Sequence, residues 1–165
     1  MKKPRLFLDL DGVLADFDAG VQQVAGCPPS DLPPQRLWPL LARSSDFYNR
    51  LPWTQDGKHL WETVKHLNPV IVTGLPRGKW AEPQKRSWCA RELGSHVPVL
   101  CGMARIKGQI ALDWLDEHEE EECLPVLVDD RITAQQSWED MGGHYVLHLN
   151  AQESLKILAS LGFSL

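Results

Sequence analysis

Leu6-Phe7-Leu8-Asp9-Leu10-Asp11-Gly12-Val13-Leu14 sets two carboxylates two residues apart where a short apolar run ends. A run this apolar and this short reads as a strand buried on both faces, as in a parallel sheet covered by helices. Residues i and i+2 of a strand project to the same side. The sheet should therefore deliver Asp9 and Asp11 together to its carboxyl edge, where open α/β sheets bind ligands. Two like charges so close are costly to bury unless a cation or a shared proton offsets them. Asp-Gly is also an ordinary turn pair, so the motif taken alone could be a capped turn.

Outward from this stretch, similar runs recur at residues 70–73, 97–100, 125–128 and 145–149, the first itself covering 5–10. Helical stripes separate most of them. Leu60, Val64 and Leu67 form one, with Asp56 as its expected N-cap; Ala134, Trp138 and Met141 form another, stopped by Gly142-Gly143. The last, at 151–161, has Asn150 as cap, Glu153 three residues on and Gly162 as terminator. Strands alternating with helices predict an α/β protein with a five-stranded, mainly parallel sheet and right-handed crossovers. Residues 19–52 break the rhythm with Pro28-Pro29, Pro33-Pro34 and Pro39 among Trp38, Phe47 and Tyr48. Such a stretch is too long for a simple connection and is expected to be a small, partly helical cap insertion. Residues 1–18 and 53–165 are then the core. The acidic run at 116–122 reads as a solvated helix end and loop.

The length of 165 residues suits one domain, and a 43% hydrophobic content is that of a globular protein able to bury a core. A net charge of −5 argues against a nucleic-acid polymer or an anionic membrane as partner. It leaves room for a phosphorylated ligand, because a metal ion can supply positive charge locally. No apolar stretch approaches the ~20 residues that span a bilayer, and Asp9 and Asp11 interrupt any secretory apolar region. Cys27, Cys89, Cys101 and Cys123 lack metal-type spacing, so a reduced, cytoplasmic protein is expected. The pattern does not fix an oligomeric state.

Three further signals join the first. Leu127-Val128-Asp129-Asp130-Arg131 ends a second apolar run in a second carboxylate pair. Two such pairs suggest a cluster of the hard oxygen ligands that Mg²⁺ prefers. Val70-Ile71-Val72-Thr73-Gly74 ends in a hydroxyl and a glycine, suited to holding a phosphate oxygen; alone, Thr73 could merely cap a helix. Lys107 and Lys85 stand near helix starts, where a cation opposes the macrodipole unless an anion sits opposite. These pieces meet the demands of phosphoryl transfer, which needs charge neutralisation and an in-line nucleophile. Asp9 would attack phosphorus, and Asp11 would protonate the leaving alkoxide and then deprotonate water. Mg²⁺ would be held by Asp9, the backbone carbonyl of Asp11 and Asp130, with Thr73, Gly74 and Lys107 on the other phosphoryl oxygens.

The order DxDGV, strand-Thr-Gly, Lys, strand-Asp-Asp resembles the four motifs of the haloacid dehalogenase superfamily. That resemblance implies a Rossmann-like three-layer sandwich, an aspartyl-phosphate intermediate and Mg²⁺. Residues 9–17, Phe47-Tyr48 through Leu51-Pro52 and Val128-Asp129-Asp130-Arg131 are similar to the 5'(3')-deoxyribonucleotidases. By that resemblance Phe17 faces a nucleoside, Lys85 is a second phosphate-binding lysine, and Asp130 rather than Asp129 is the direct metal ligand. Trp38 is a candidate for base stacking, although the insertion here is shorter than that family's. The implied substrate is a nucleoside monophosphate. A sugar phosphate or other small metabolite is the alternative, and a non-catalytic phosphate-binding protein the remaining one.

Overall fold

The computed structural model of the protein describes residues 2–118 and 122–165. Residues 119–121, within the acidic run, lie outside the described residues, as does residue 1. Among the described residues the chain runs β1 (Pro4–Leu8), α1 (Phe17–Ala25), α2 (Pro34–Arg43), α3 (Gly57–Val64), β2 (Val70–Gly74) and α4 (Ala81–Glu92). It continues β3 (Val99–Gly102), α5 (Lys107–Glu117), β4 (Leu124–Asp129), α6 (Gln135–Asp140), β5 (His144–Leu147) and α7 (Ala151–Ser160). The five strands are all parallel, in the order β3-β2-β1-β4-β5. This is the expected α/β architecture, with no antiparallel member.

Alternation along β1 explains the three layers. Leu6 and Leu8 point to one side, into a cluster with Val21, Leu60, Trp88 and Leu158. Phe7 points to the other, against Trp114 and Trp138, its ring centroid 6.0 and 5.1 Å from theirs. Helices α5 and α6 therefore cover one face and the other helices the opposite face. Both faces of the sheet are dry, which is why its strands read as unbroken apolar runs.

The strand ends depart from the expected ones for identifiable reasons. β1 stops at Leu8 because the Leu10 carbonyl turns to accept from Leu14 and Ala15, at 2.9 and 3.0 Å. β3 starts at Val99, since the Val97 amide is used by Gly94 O in the preceding turn. β5 ends at Leu147, and beyond it Leu149 is 75% exposed. Asn150 does cap α7, accepting from the Glu153 amide at 2.9 Å. Asp56 precedes α3 without capping it; its carboxylate accepts from the Ala151 amide at 2.5 Å and so serves α7 instead.

Residues 19–52 supply Val21, Leu37, Leu41, Phe47, Tyr48 and Leu51 to the same apolar cluster as Leu8. Asp16 caps α1 by accepting from Ala19 N at 2.9 Å, and Pro34 occupies the first turn of α2, where its missing N–H costs nothing. The segment returning from α2 is fastened to α4: Gln84 accepts from the Tyr48 amide, Trp88 donates to Leu51 O, and Arg91 donates to Asn49 O. No helix among the described residues is long and apolar enough to cross a membrane.

Candidate active site

Chain order reverses between β1 and β4, and a parallel sheet opens a crevice at such a switch point. Asp9 follows β1 and Asp129 ends β4, so both acids stand at the mouth of that crevice. The Asp9 amide still donates to Val128 O at 2.9 Å, which holds the two strand ends in register. Beyond Asp9 the backbone doubles back through Gly12, whose φ of 80° strains any side chain. A Cβ there would also lie 2.1 Å from Asp130 Oδ2. Gly12→Ala is therefore expected to cost about 1–3 kcal/mol, a fall in Tm of roughly 2–12 °C for a chain of this size. Thermal unfolding of the variant would check it; a Tm within about 1 °C of the parent's would mean the turn has room for a Cβ.

Both predicted lysines are buried and ion-paired. Lys107 opens α5, is 3% exposed, and donates to Asp9 Oδ1 at 2.8 Å and Asp129 Oδ2 at 2.7 Å. The other oxygen of Asp129 accepts from the Arg131 amide at 2.9 Å. Lys85 lies in the second turn of α4 rather than the first, and is 1% exposed. Its ammonium donates to Asp11 Oδ2 at 2.6 Å, Gly74 O at 2.7 Å and Thr73 Oγ1 at 3.1 Å, which uses all three N–H groups. It also sits 4.4 Å from the centroid of the Tyr48 ring.

The acids remain crowded despite these partners. Burial, then the charges of Asp9 and Asp129, push Asp130 up to about 7. Burial also raises Asp11, helped by the charge of Asp9 and opposed by Lys85. Asp129 is raised by burial and by Asp9, against the pull of Lys107. Burial alone would lower Lys107, but Asp9 and Asp129 more than offset it and hold the ammonium above its ordinary value. Asp9, Asp129 and Asp130 can each bring one carboxylate oxygen within 4.8 Å of the others. Asp130 Oδ1 is buried without a hydrogen-bond partner. Three hard oxygen donors with an unsatisfied one among them fit a cation such as Mg²⁺.

Above these groups lies a cavity of about 250 Å³. Of the residues singled out in the sequence, Asp9, Asp11, Phe17, Trp38, Gly74, Lys85, Lys107, Asp129 and Asp130 line it. Thr73 lies beneath, 1% exposed, its hydroxyl accepting from Lys85. Phe17 packs between Trp38, Phe47 and Tyr48, with centroids 5.7–6.2 Å away. Tyr48 in turn stacks on Trp80 at 5.3 Å. Tyr48 and Arg131 line the cavity too, together with Leu75, Pro76, Ala104, Thr133 and Ala134. Neither Tyr48 nor Arg131 has a role that the sequence motifs assign. Their position, one beside Phe47 and one next to Asp130, was the signal available.

The fold is shared with solved structures described as haloacid dehalogenase-like hydrolases. A haloacid dehalogenase-like family hydrolase from Streptococcus pneumoniae superposes with a TM-score of 0.59 at 12% identity, covering 98% of each chain. A structure from Lactobacillus plantarum assigned as a phosphoglycolate phosphatase gives 0.59 at 13% identity, over 95% of this chain and 100% of its own. A second S. pneumoniae hydrolase, from strain TIGR4, gives 0.56 at 13%, over 96% and 100%. At such identities the likeness is one of fold. No protein-family model matches the sequence, and no curated protein matches it.

Proposed function

We propose that the protein is a Mg²⁺-dependent phosphomonoesterase working through an aspartyl-phosphate on Asp9. The observation that supports this most is the meeting of Asp9, Asp129 and Asp130 at the switch point, with Lys107 buried between two of them. Asp9, Asp130 and the main-chain carbonyl of Asp11 would hold the ion, while Asp129, both oxygens engaged, would orient Lys107. Bound there, Mg²⁺ would screen the carboxylates from an incoming phosphate. An Asp9 oxygen would attack phosphorus as the bond to the leaving oxygen breaks, and Asp11 would give that oxygen its proton. A raised pKa suits Asp11 to carry one. Water would then attack the same phosphorus, losing its proton to Asp11 and freeing Asp9. Lys107 and Gly74 would hold the remaining phosphoryl oxygens, while Thr73, beneath the cavity, accepts from Lys85, which fixes Asp11 in place and adds its charge.

Residues 19–52 act in this reading as the cap over the leaving group. The substrate is a small phosphorylated metabolite: about 250 Å³ falls below the usual range of ligand pockets, roughly 300–1,000 Å³. The Lactobacillus structure's assignment to phosphoglycolate fits that size. A nucleoside monophosphate is the second reading, favoured by Trp38, whose ring lines the cavity while 37% exposed and could take a base on its open side. The test is phosphate release from a panel of sugar phosphates, phosphorylated acids and nucleoside monophosphates, with Mg²⁺ and with chelator. Turnover that needs the metal is expected; no release from any ester would end the proposal.

A further inference from the structure

Nearly every charged donor facing the cavity is already committed. Lys107 is held by Asp9 and Asp129, and Lys85 by Asp11, Thr73 and Gly74. Arg131 is the exception. Its backbone is pinned at both ends, the amide donating to Asp129 Oδ1 and the carbonyl accepting from the Tyr145 hydroxyl. Arg131 is exposed and is among the residues that line the cavity, and its guanidinium has no hydrogen-bond or ion-pair partner among the described residues. Tyr48 lines the same cavity, 2% exposed, its ring clamped between Phe17 and Trp80 and its hydroxyl likewise without a partner among the described residues. The two side chains feel one another: burial and the charge of Asp11 raise the Tyr48 hydroxyl, and Arg131 pulls it back.

We propose that Arg131 and the Tyr48 hydroxyl form an anion subsite for the leaving group, selecting phosphomonoesters whose alcohol portion carries a carboxylate. The inference rests on the phosphomonoesterase reading and narrows its substrate class. A guanidinium presents a planar fork that matches a carboxylate with two parallel hydrogen bonds. The one uncommitted cation that lines the cavity among the described residues balances the single charge of a carboxylate; a second phosphoryl group, nearer −2, would call for more. The Tyr48 hydroxyl supplies a further donor from the cap side. An alkyl leaving group would bury that hydroxyl unpaired, and such a group is penalised in the complex. The same two donors give a nucleoside nothing charged to meet.

The test uses the full-length protein with Mg²⁺ and two non-hydrolysable probes, phosphonoacetate and ethylphosphonate, which differ in one carboxylate. Calorimetric titration should show the parent binding phosphonoacetate about 10- to 100-fold more tightly, the scale of a charge-assisted pair. Arg131→Gln should collapse that ratio to within about threefold. Tyr48→Phe, a change that keeps the ring in its stack, should shrink it by a smaller factor. Equal binding of the two probes by the parent, or an undiminished ratio in Arg131→Gln, would overturn the subsite. The corresponding esters, 2-phosphoglycolate and ethyl phosphate, separate the two claims. Discrimination between the phosphonates without phosphate release from either ester would remove the hydrolase reading and leave the subsite. Equal kcat/KM on both esters would do the reverse.

Discussion

Replacing Asp9 with asparagine is expected to lower kcat/KM on any accepted phosphomonoester by roughly 10⁵-fold or more, the scale of losing a catalytic nucleophile. That corresponds to about 7 kcal/mol of transition-state stabilisation. The substitution is nearly isosteric, and the amide oxygen can still accept from Lys107, which keeps its second partner in Asp129. It also removes one of three crowded negative charges, the one whose field helps raise both Asp129 and Asp130. The metal-free variant should therefore unfold no earlier than the parent. Lost activity with an unchanged or higher Tm separates chemistry from folding. If Asp9→Asn kept more than about 1% of parental turnover, some other group would have to be taking the phosphoryl.

The sheet was legible because its physics is one-dimensional. A strand covered on both faces must be apolar along its whole length, and five such runs can be counted in the sequence. The acids were legible for a related reason: polar groups ending a dry strand need an explanation. Alternation of side chains predicts that Asp9 and Asp11 share a side, but β1 stops at Leu8 and the turn through Gly12 sets Asp11 instead. Both acids do line the one cavity, but the turn that places Asp11 there could not come from periodicity, since it depends on the Leu10 carbonyl choosing Leu14 and Ala15 over the sheet. Asp56 fails in the same way. Its place before α3 is a capping place, yet Ala151, 95 residues away, claims its carboxylate. Local signals name the residue type a position wants; they are silent about distant competitors for it.

The partners of the lysines were hidden for that reason. Sequence puts Lys107 and Lys85 near helix starts, where an anion is the natural complement, and a bound phosphate is one such anion. In the folded chain aspartates take that place. Lys107 spans 98 residues to reach Asp9, and Lys85 spans 74 to reach Asp11. Each acid of the first motif thus has its own lysine, a pairing no short window of sequence contains. Arg131 carries no separate signal in the sequence, because it directly follows two carboxylates that by themselves account for the motif.

The Lys107 pairing carries the second large expectation. Lys107→Ala would leave Asp9 and Asp129 facing each other with Asp130 beside them and no ammonium between. Breaking a buried pair by removing one partner costs about 3–5 kcal/mol, or roughly 6–20 °C in the Tm of a chain this size. The cost has a pH signature. In the metal-free parent, Asp130 at about 7 and a raised Asp129 already sit above an unfolded carboxyl's ordinary value of 3.8. A carboxyl raised on folding binds more protons folded than unfolded, so its penalty is present at high pH and fades as pH falls through the folded value. Without Lys107 both values should climb further. The difference in Tm between parent and variant, measured with chelator, should accordingly shrink between about pH 8 and pH 5. Millimolar Mg²⁺ at pH 8 should recover part of it, because a divalent charge replaces some of the missing neutralisation. Loss of kcat/KM by roughly 10²-fold or more should persist even with the metal bound, since one preorganised contact to the phosphoryl oxygens is gone. A variant as stable as the parent at pH 8 in chelator would mean that the three carboxylates are less crowded than their distances imply. The electrostatic logic of the site would then fail with it.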